Sequence, residues 1–378
     1  MKPKVLVLGA GMVGKAMAID LINKGDVTSA DVSEESLHFL KKNYGINTLL
    51  LDVTDREKLS KVVRNYDLVV CAVPGFLGYK TVETVIEAGI NLVDISFMPE
   101  DTLMLNEKAV NNNVTAIVDC GVAPGIPNLI AGYHNTMMKI DNFQYMVGGL
   151  PKVRTFPFEY KAPFSPIDVI EEYTRPARFL QNSQIIVKPP MSDVELIDFQ
   201  NVGTLEAFNT DGLRSLVFTL KNIPNISEKT LRYPGHIKLI QVLKAGGFFD
   251  KKPIRVNGAD VIPLDVTNKI LFQSWKLEQE EVDFTVMRIT VQGIEDGVKK
   301  EIVYDLYDEY DPTTKISSMA RTTGYTATAA VCMFLDGKFN EKGVFPPELV
   351  GKHHSCFNYM MKYLEDRNVI YRKTVNII

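Results

Sequence analysis

The sequence predicts an α/β protein built on a doubly wound parallel sheet. Three observations carry that expectation. Strand-length apolar runs alternate with helix-length segments through the first third, the turn Gly9-Ala10-Gly11-Met12-Val13-Gly14 follows the first run, and Asp31 ends the second. Parallel neighbours need a crossover of a dozen or more residues, which helices supply. In order, the pattern predicts a strand at 4–8, a helix over 11–24, a strand at 26–31, a helix over 33–43 and a strand at 48–51. A helix over 55–63, a strand at 68–72, a helix over 80–88, a strand at 91–94, a helix over 101–111 and a strand at 115–118 follow. Six strands in this arrangement make a full dinucleotide-binding sheet of Rossmann type.

After Gly121 to Asn128 (GVAPGIPN) the periodicity changes. A helix over 129–138 leads into segments that alternate like strands at 143–150, 184–188, 204–208, 284–291 and 301–305, which predicts a second, mixed-sheet domain. Residues 317–335 carry apolar side chains at helical spacing and stop at Gly337; an amphipathic helix over 354–366 follows the Phe345-Pro346-Pro347 turn. The expected divisions are a dinucleotide-binding domain at 1–125, a mixed α/β domain at 126–316, and C-terminal helices at 317–378.

Composition narrows the function classes. The 378 residues are 46% hydrophobic and 23% charged, enough for real cores, and the net charge of −4 offers no positive field for nucleic acid or anionic lipid. The apolar start resembles a signal peptide superficially, but glycines at 9, 11 and 14 break its core, and the apolar run at 327–335 is about half of the ~20 residues that span a bilayer. A soluble, cytoplasmic protein is expected. Cys71, Cys120, Cys332 and Cys356 are scattered and do not cluster with the five histidines, so neither a disulfide framework nor a metal site is expected.

The glycine turn has the context its chemistry demands: it ends a strand and opens a helix. Gly9 makes the tight turn, Gly11 lets backbone approach a pyrophosphate, and Gly14 lets helix pack on sheet, with Met12 and Val13 in the first helical turn. Asp31 lies 22 residues beyond Gly9, where a carboxylate accepts hydrogen bonds from ribose hydroxyls and repels a 2′-phosphate, so NAD is expected in preference to NADP. Asp52 ends another strand and either reaches the adenine or caps the next helix. Val73 and Pro74 end the fourth strand beside the first, at the crevice.

Several phrases taken in order resemble the saccharopine dehydrogenase superfamily, in the branch that holds lysine 6-dehydrogenase and the glutamate-forming saccharopine reductase. They are GAGMVG at 9–14, EAG at 87–89 followed by VDIS at 93–96, DCGVAPG at 119–125, GGLP at 148–151, EAFNTDGLR at 206–214, KTLRYPGH at 229–236 and SMARTTG at 318–324. Tyr160-Lys161, Phe164-Ser165-Pro166 and Glu171-Glu172-Tyr173 look closer to lysine 6-dehydrogenase, and so do the length and Asp31. Arg175 and Arg178 depart from that pattern and suit a substrate with an additional carboxylate.

The resemblance implies a Rossmann-type doubly wound domain at 1–125 interrupted by a catalytic and dimerisation α/β domain at 126–316, with the C-terminal helices at 317–378 returning to the first domain. It also implies hydride transfer between a nicotinamide and a carbon bearing a lysine-like ε-nitrogen. An ammonium of pKa near 10.4 must lose its proton first, so the site needs an acceptor. The resemblance favours Asp94 and Cys120, at strand ends facing the crevice, as proton relay or water-positioning groups; otherwise they are a turn cap and a buried small hydrophobe. An α-carboxylate needs a cation, and Arg214 and Arg232 are the candidates, a structural ion pair being the alternative for each. Lys161 and Glu172 can meet a second charged group, and His236 is either a proton shuttle or a structural residue in a turn. Arg321 is expected to pack rather than react.

The expected activity is an NAD-dependent oxidation of a CH–NH group on a lysine-like amino acid. Saccharopine reductase and a carboxynorspermidine-type dehydrogenase are rivals, and a non-catalytic nicotinamide-binding sensor is the alternative of another class. The expected partner is a small amine or amino acid, and the apolar C-terminal helices and the resemblance together imply a homodimer.

Overall fold

The computed structural model describes residues 2–163, 166–278 and 281–378, the side chains of 166 and 167 excepted. Phe164 and Ser165 of the resemblance motif lie outside the described residues.

The first sheet holds the six expected strands, all parallel, in the spatial order Thr115–Ile117, Asn91–Asp94, Leu68–Cys71, Lys4–Leu8, Asp26–Asp31, Asn47–Leu50. Helices cover both faces, so the central strands read as continuous apolar runs; all four residues of Leu68–Cys71 are buried. Strand order reverses between Lys4–Leu8 and Leu68–Cys71, which opens a crevice at their C-terminal ends. The helices begin and end on local signals. Ser33 caps Glu34–Tyr44 by accepting from the Ser36 N–H, Gly45 closes that helix in the left-handed region, and Asp55 caps Arg56–Val63 through the Lys58 N–H. A seventh strand, Gly343–Phe345, joins parallel beside Thr115–Ile117 from the far end of the chain.

The second sheet has nine strands. Its spine runs Glu195–Phe199, Gly203–Asn209, Asn225–Arg232, Lys139–Pro151, Asp283–Glu295, Val298–Glu309, Tyr371–Ile377, and a hairpin of Ala177–Gln181 with Gln184–Lys188 attaches to Asn225–Arg232. The pair Lys139–Pro151 and Asn225–Arg232 is parallel and the other pairings are antiparallel, a mixed sheet. Alternation decides which face is covered: Met287, Ile289 and Val291 are buried in the core, while Arg288 and Gln292 point away and pair with Asp305 and Glu301. The C-terminal region therefore divides. Gly343–Phe345 goes back to the first sheet as expected of 317–378, whereas Tyr371–Ile377 forms an edge of the second, a strand too polar to announce itself by period.

The helix Ser318–Leu335 joins the two halves. It starts on the second sheet, where Asp283 accepts from the Ser318 and Met319 N–H groups at 2.7 and 3.1 Å, filling the positions a helix N-terminus leaves open. Arg321 follows with Asp308 at 3.1 Å and Asp311 at 3.2 Å. Three turns on, Thr328 donates to Asp20 of the helix Met12–Leu21 at 2.5 Å, and Tyr363 and Arg367 reach the same carboxylate at 2.7 Å each. Among the described residues no helix is long and apolar enough to cross a membrane, no group of acids, histidines and cysteines could hold a metal, and all four cysteines are free and buried.

Arg321 and Asp308 are both nearly inaccessible, so removing the cation strands a buried carboxylate. Arg321→Met should cost about 3–5 kcal/mol in denaturant unfolding at pH 7. The loss should shrink at pH 5, because burial already raises the Asp308 carboxyl and protonation relieves it.

Candidate functional site

A cleft of about 650 Å³ opens where the strand ends of the first sheet face the second sheet. Gly9, Gly11, Met12, Val13, Gly14, Asp31, Asp52, Val73 and Pro74 all line its first half. Gly9 sits at φ +105°, and a Cβ there would fall 2.3 Å from the Ala72 carbonyl oxygen. A Cβ on Gly14 would fall 2.0 Å from the Gly9 oxygen, whereas one on Gly11 would meet nothing within 4 Å. Two glycines thus close the turn and the third leaves its outer face clear for a phosphate. The helix Met12–Leu21 has no side-chain cap and no acid in its first turn, so its N–H groups remain available to an anion. Asp31 holds the turn from behind, accepting from the Ala10 N–H at 2.5 Å and the Ser33 N–H at 2.8 Å. Asp52 accepts from the backbone and hydroxyl of Thr54 at 2.9 and 2.7 Å. These residues fit a dinucleotide.

The other half is charged. Glu228, Thr230 and Arg232 stand at alternate positions of Asn225–Arg232 and all three line the cleft. Asp168, Glu171, Glu172 and Arg175 line it at helical spacing (i, i+3, i+4, i+7) along and just past the helix Pro166–Thr174. Thr210, Asp211 and Gly212 complete the wall, and Met319 and Thr323 of the long helix form part of the floor. Glu228 accepts from Thr210 at 2.7 Å and from the Gly212 N–H at 3.1 Å; burial dominates, and its carboxyl is raised to about 8. Arg175 lies over the Phe97 ring at 4.9 Å, with one terminal nitrogen 3.5 Å from Glu171 and the other buried without a partner. Arg178 is taken up by Asp211 in a two-pronged pair at 2.9 Å.

Of the seven residues the sequence singled out for chemistry, the structure brings Glu172 and Arg232 together on the cleft wall as an ion pair. The other five are not among its lining. Asp94 is fully buried behind the strand end, accepting from the Ser96 hydroxyl at 2.7 Å, and burial lifts its carboxyl to about 8. Burial likewise pushes the Cys120 thiol up, and its sulfur points to the Thr326 carbonyl at 3.8 Å. Arg214 pairs with buried Asp119 at 3.2 Å, the structural role weighed for it, because a φ of +53° in its turn aims it across the fold. Lys161 donates to the Lys276 carbonyl at 3.1 Å. His236 is buried between the Tyr173 hydroxyl and the Phe158 carbonyl, and burial and Arg232 lower it to about 3. Sequence reasoning did not single out Glu228, Thr210 or Asp168. The alternation in NISEKTLR and the helical spacing of 168, 171, 172 and 175 were the signals that would have grouped them with Arg232 and Glu172.

Two family models cover the chain: the saccharopine dehydrogenase NADP binding domain matches residues 5–117, and the saccharopine dehydrogenase C-terminal domain matches residues 121–370. The mitochondrial alpha-aminoadipic semialdehyde synthase of Mus musculus is 23% identical over 92% of this chain and 45% of its own length, so the chain spans less than half of that relative. The carboxyaminopropylagmatine dehydrogenase of Synechocystis is 22% identical over 91% of this chain and 92% of its own. Among solved structures, the apo saccharopine dehydrogenase (L-Glu forming) of Saccharomyces cerevisiae superposes with a TM-score of 0.79 over 99% of this chain and 100% of that one, at 22% identity, and so shares the fold.

Asp94 offers a test of the electrostatics. Its folded value of about 8 lies above the ordinary 3.8, so the parent protein is favoured at low pH and loses that stability as pH rises through 8. Asp94→Asn lacks this titration. Its stability relative to the parent should increase from pH 5 up to about pH 8 and level off above it in chemical denaturation.

Proposed function

The chain belongs to the saccharopine dehydrogenase family, and from that premise we propose an NAD-dependent oxidoreductase acting on the CH–NH group of a lysine-like amino acid, oxidising L-lysine at its ε-carbon. The observation that carries the reading is one cleft that joins a dinucleotide turn to a wall of carboxylates and arginines. The first half holds the cofactor: uncapped N–H groups of Met12–Leu21 receive the pyrophosphate, and the clear face of Gly11 admits it. When bound, the nicotinamide accepts the hydride that leaves the amine-bearing carbon. The second half selects the substrate. Arg175, with a buried nitrogen unpartnered, is placed to receive an α-carboxylate, and the acids of the helix Pro166–Thr174 favour the cationic nitrogens.

A second reading, oxidation of a carboxyalkylated polyamine, is supported by the charge balance of the same wall. With the largely protonated Glu228 set aside, Asp168, Glu171, Glu172 and Asp211 stand against Arg175, Arg178 and Arg232, a balance that suits a net-cationic amine better than the three carboxylates of saccharopine. Full-length similarity to the carboxyaminopropylagmatine dehydrogenase supports it too.

NAD is the expected cofactor although the matched domain carries an NADP name. Asp31 ends the second strand, and the neighbouring lining residues Val32, Asp52 and Val53 supply no cation for a 2′-phosphate. NAD should therefore bind more tightly than NADP. Asp31→Ser should erode that preference by about 10-fold or more, since a hydrogen bond to a charged group contributes ~1.5–3 kcal/mol. Tighter NADP binding by the parent protein would overturn the assignment.

The activity is tested by absorbance of NADH at alkaline pH, with L-lysine, carboxynorspermidine and saccharopine as substrates. Reduction by lysine is expected. Reduction by carboxynorspermidine alone selects the second reading, and reduction by saccharopine alone contradicts both.

A further inference from the structure

We propose that Glu172 takes the proton of the substrate ammonium, and that Arg232, Tyr173 and His236 are positioning residues that hold it to this task; the inference rests on the amine-oxidation reading above. The argument is the direction of a buried hydrogen-bond chain. A guanidinium only donates, so where Arg232 Nε meets the Tyr173 hydroxyl at 3.2 Å, the tyrosine oxygen accepts. The Phe158 carbonyl also only accepts, so His236 Nδ1 carries the hydrogen at 2.9 Å, and the bare Nε2 of the neutral ring takes the Tyr173 proton at 3.0 Å. The tautomer follows from the partners, and burial keeps the ring neutral.

Four of the five N–H groups of Arg232 are engaged. Nη1 donates to the Leu231 carbonyl at 2.9 Å, and Nη2 is divided between Glu172 and the Tyr160 hydroxyl at 3.3 Å, with the Tyr160 ring 4.3 Å from the guanidinium. Turning this arginine toward a substrate carboxylate would break several of these contacts in a site of 2% exposure. Its function is thus to fix and neutralise Glu172, which keeps 16% of its side chain open on the cleft. The charged groups facing Glu172 are Arg232 on the strand Asn225–Arg232, Asp168 one turn earlier on its own helix, and Glu228 across the cleft. Tyr160 and Tyr173 add neutral hydroxyls. Glu228 is largely protonated at neutral pH and already engaged by Thr210 and Gly212. Glu172 is the carboxylate that a fixed buried cation supports.

The step is a proton transfer: R–CH2–NH3+ and the Glu172 carboxylate become R–CH2–NH2 and the Glu172 carboxylic acid. The N–H bond breaks, the nitrogen keeps the electron pair, and the proton later leaves to water through the cleft. A neutral amine at that point is what allows the adjacent C–H to depart as hydride.

The test pairs turnover with a readout that needs none. L-Lysine binding to the NADH-loaded protein is measured by calorimetry across pH, and kcat and KM are measured with NAD, in the parent, Glu172→Gln, Glu172→Asp and Tyr173→Phe. Binding by the parent should weaken along an acid limb that reports ionisation of Glu172. Glu172→Gln should abolish the limb by holding binding at its weak acid-side level, which raises KM, and should lower kcat by about 10²-fold or more; Glu172→Asp should restore part of each. Tyr173→Phe frees Arg232, so the limb should move to higher pH while KM holds, a displacement that a merely structural role would not cause. A limb that survives in Glu172→Gln, or one that stays in place in Tyr173→Phe, overturns the proposal. If the parent oxidises no amine, the activity reading fails while the binding limb still decides the role of Glu172; absence of lysine binding overturns both.

Discussion

The architecture depends on one buried helix held at two polar points. Apolar packing between helix and sheet is strong but non-directional, and a helix as rich in alanine and threonine as Ser318–Leu335 could slide by a turn at modest loss. Two carboxylates remove that freedom, one buried and one partly buried. Asp283 receives the first N–H groups from the second sheet, and Asp20 receives Thr328 from the first domain. Because Met319 and Thr323 lie between these anchors and also floor the cleft, the register of the helix sets where the two halves of the site stand.

The cleft divides its labour along its length. At the glycine turn, recognition is made from backbone: space at Gly11, free N–H groups, and a carboxylate that braces the turn from behind. At the far end it is made from side chains whose charges are committed in advance, Arg178 to Asp211 and Arg232 to Glu172. Preorganisation of this kind keeps the cost of ordering low when substrate arrives, and it leaves a small number of open valences, of which the unpartnered nitrogen of Arg175 is one.

The first sheet was legible because short apolar runs alternate with periodic helices, and two of those helices begin or end on local signals: Ser33, Gly45 and Asp55 act by rules that need no tertiary context. The strand Gly343–Phe345 was not, since three residues have no period and its partner lies more than two hundred residues earlier. The same limit governs the site. Gly9, Gly14 and Asp31 act within about twenty residues of one another and could be read together. Arg214 and Asp119 are 95 positions apart, and only the fold shows that they satisfy each other. Asp94 does sit at a strand end and Cys120 three residues past one, but position along a strand does not say whether a side chain turns to the crevice or into the core. The charged wall lay between these cases: its members follow strict strand and helix spacing, so each half was readable by itself, while the meeting of Glu172 with Arg232 required the second sheet to bring helix and strand together.

The central claim is that hydride leaves the carbon bearing the amine. It is tested most directly by supplying L-lysine with deuterium on both ε-carbon positions together with NAD, and taking the mass of the reduced cofactor. The account predicts reduced cofactor carrying one deuterium. Reduced cofactor formed without deuterium would contradict it, because the hydride would then have come from another carbon.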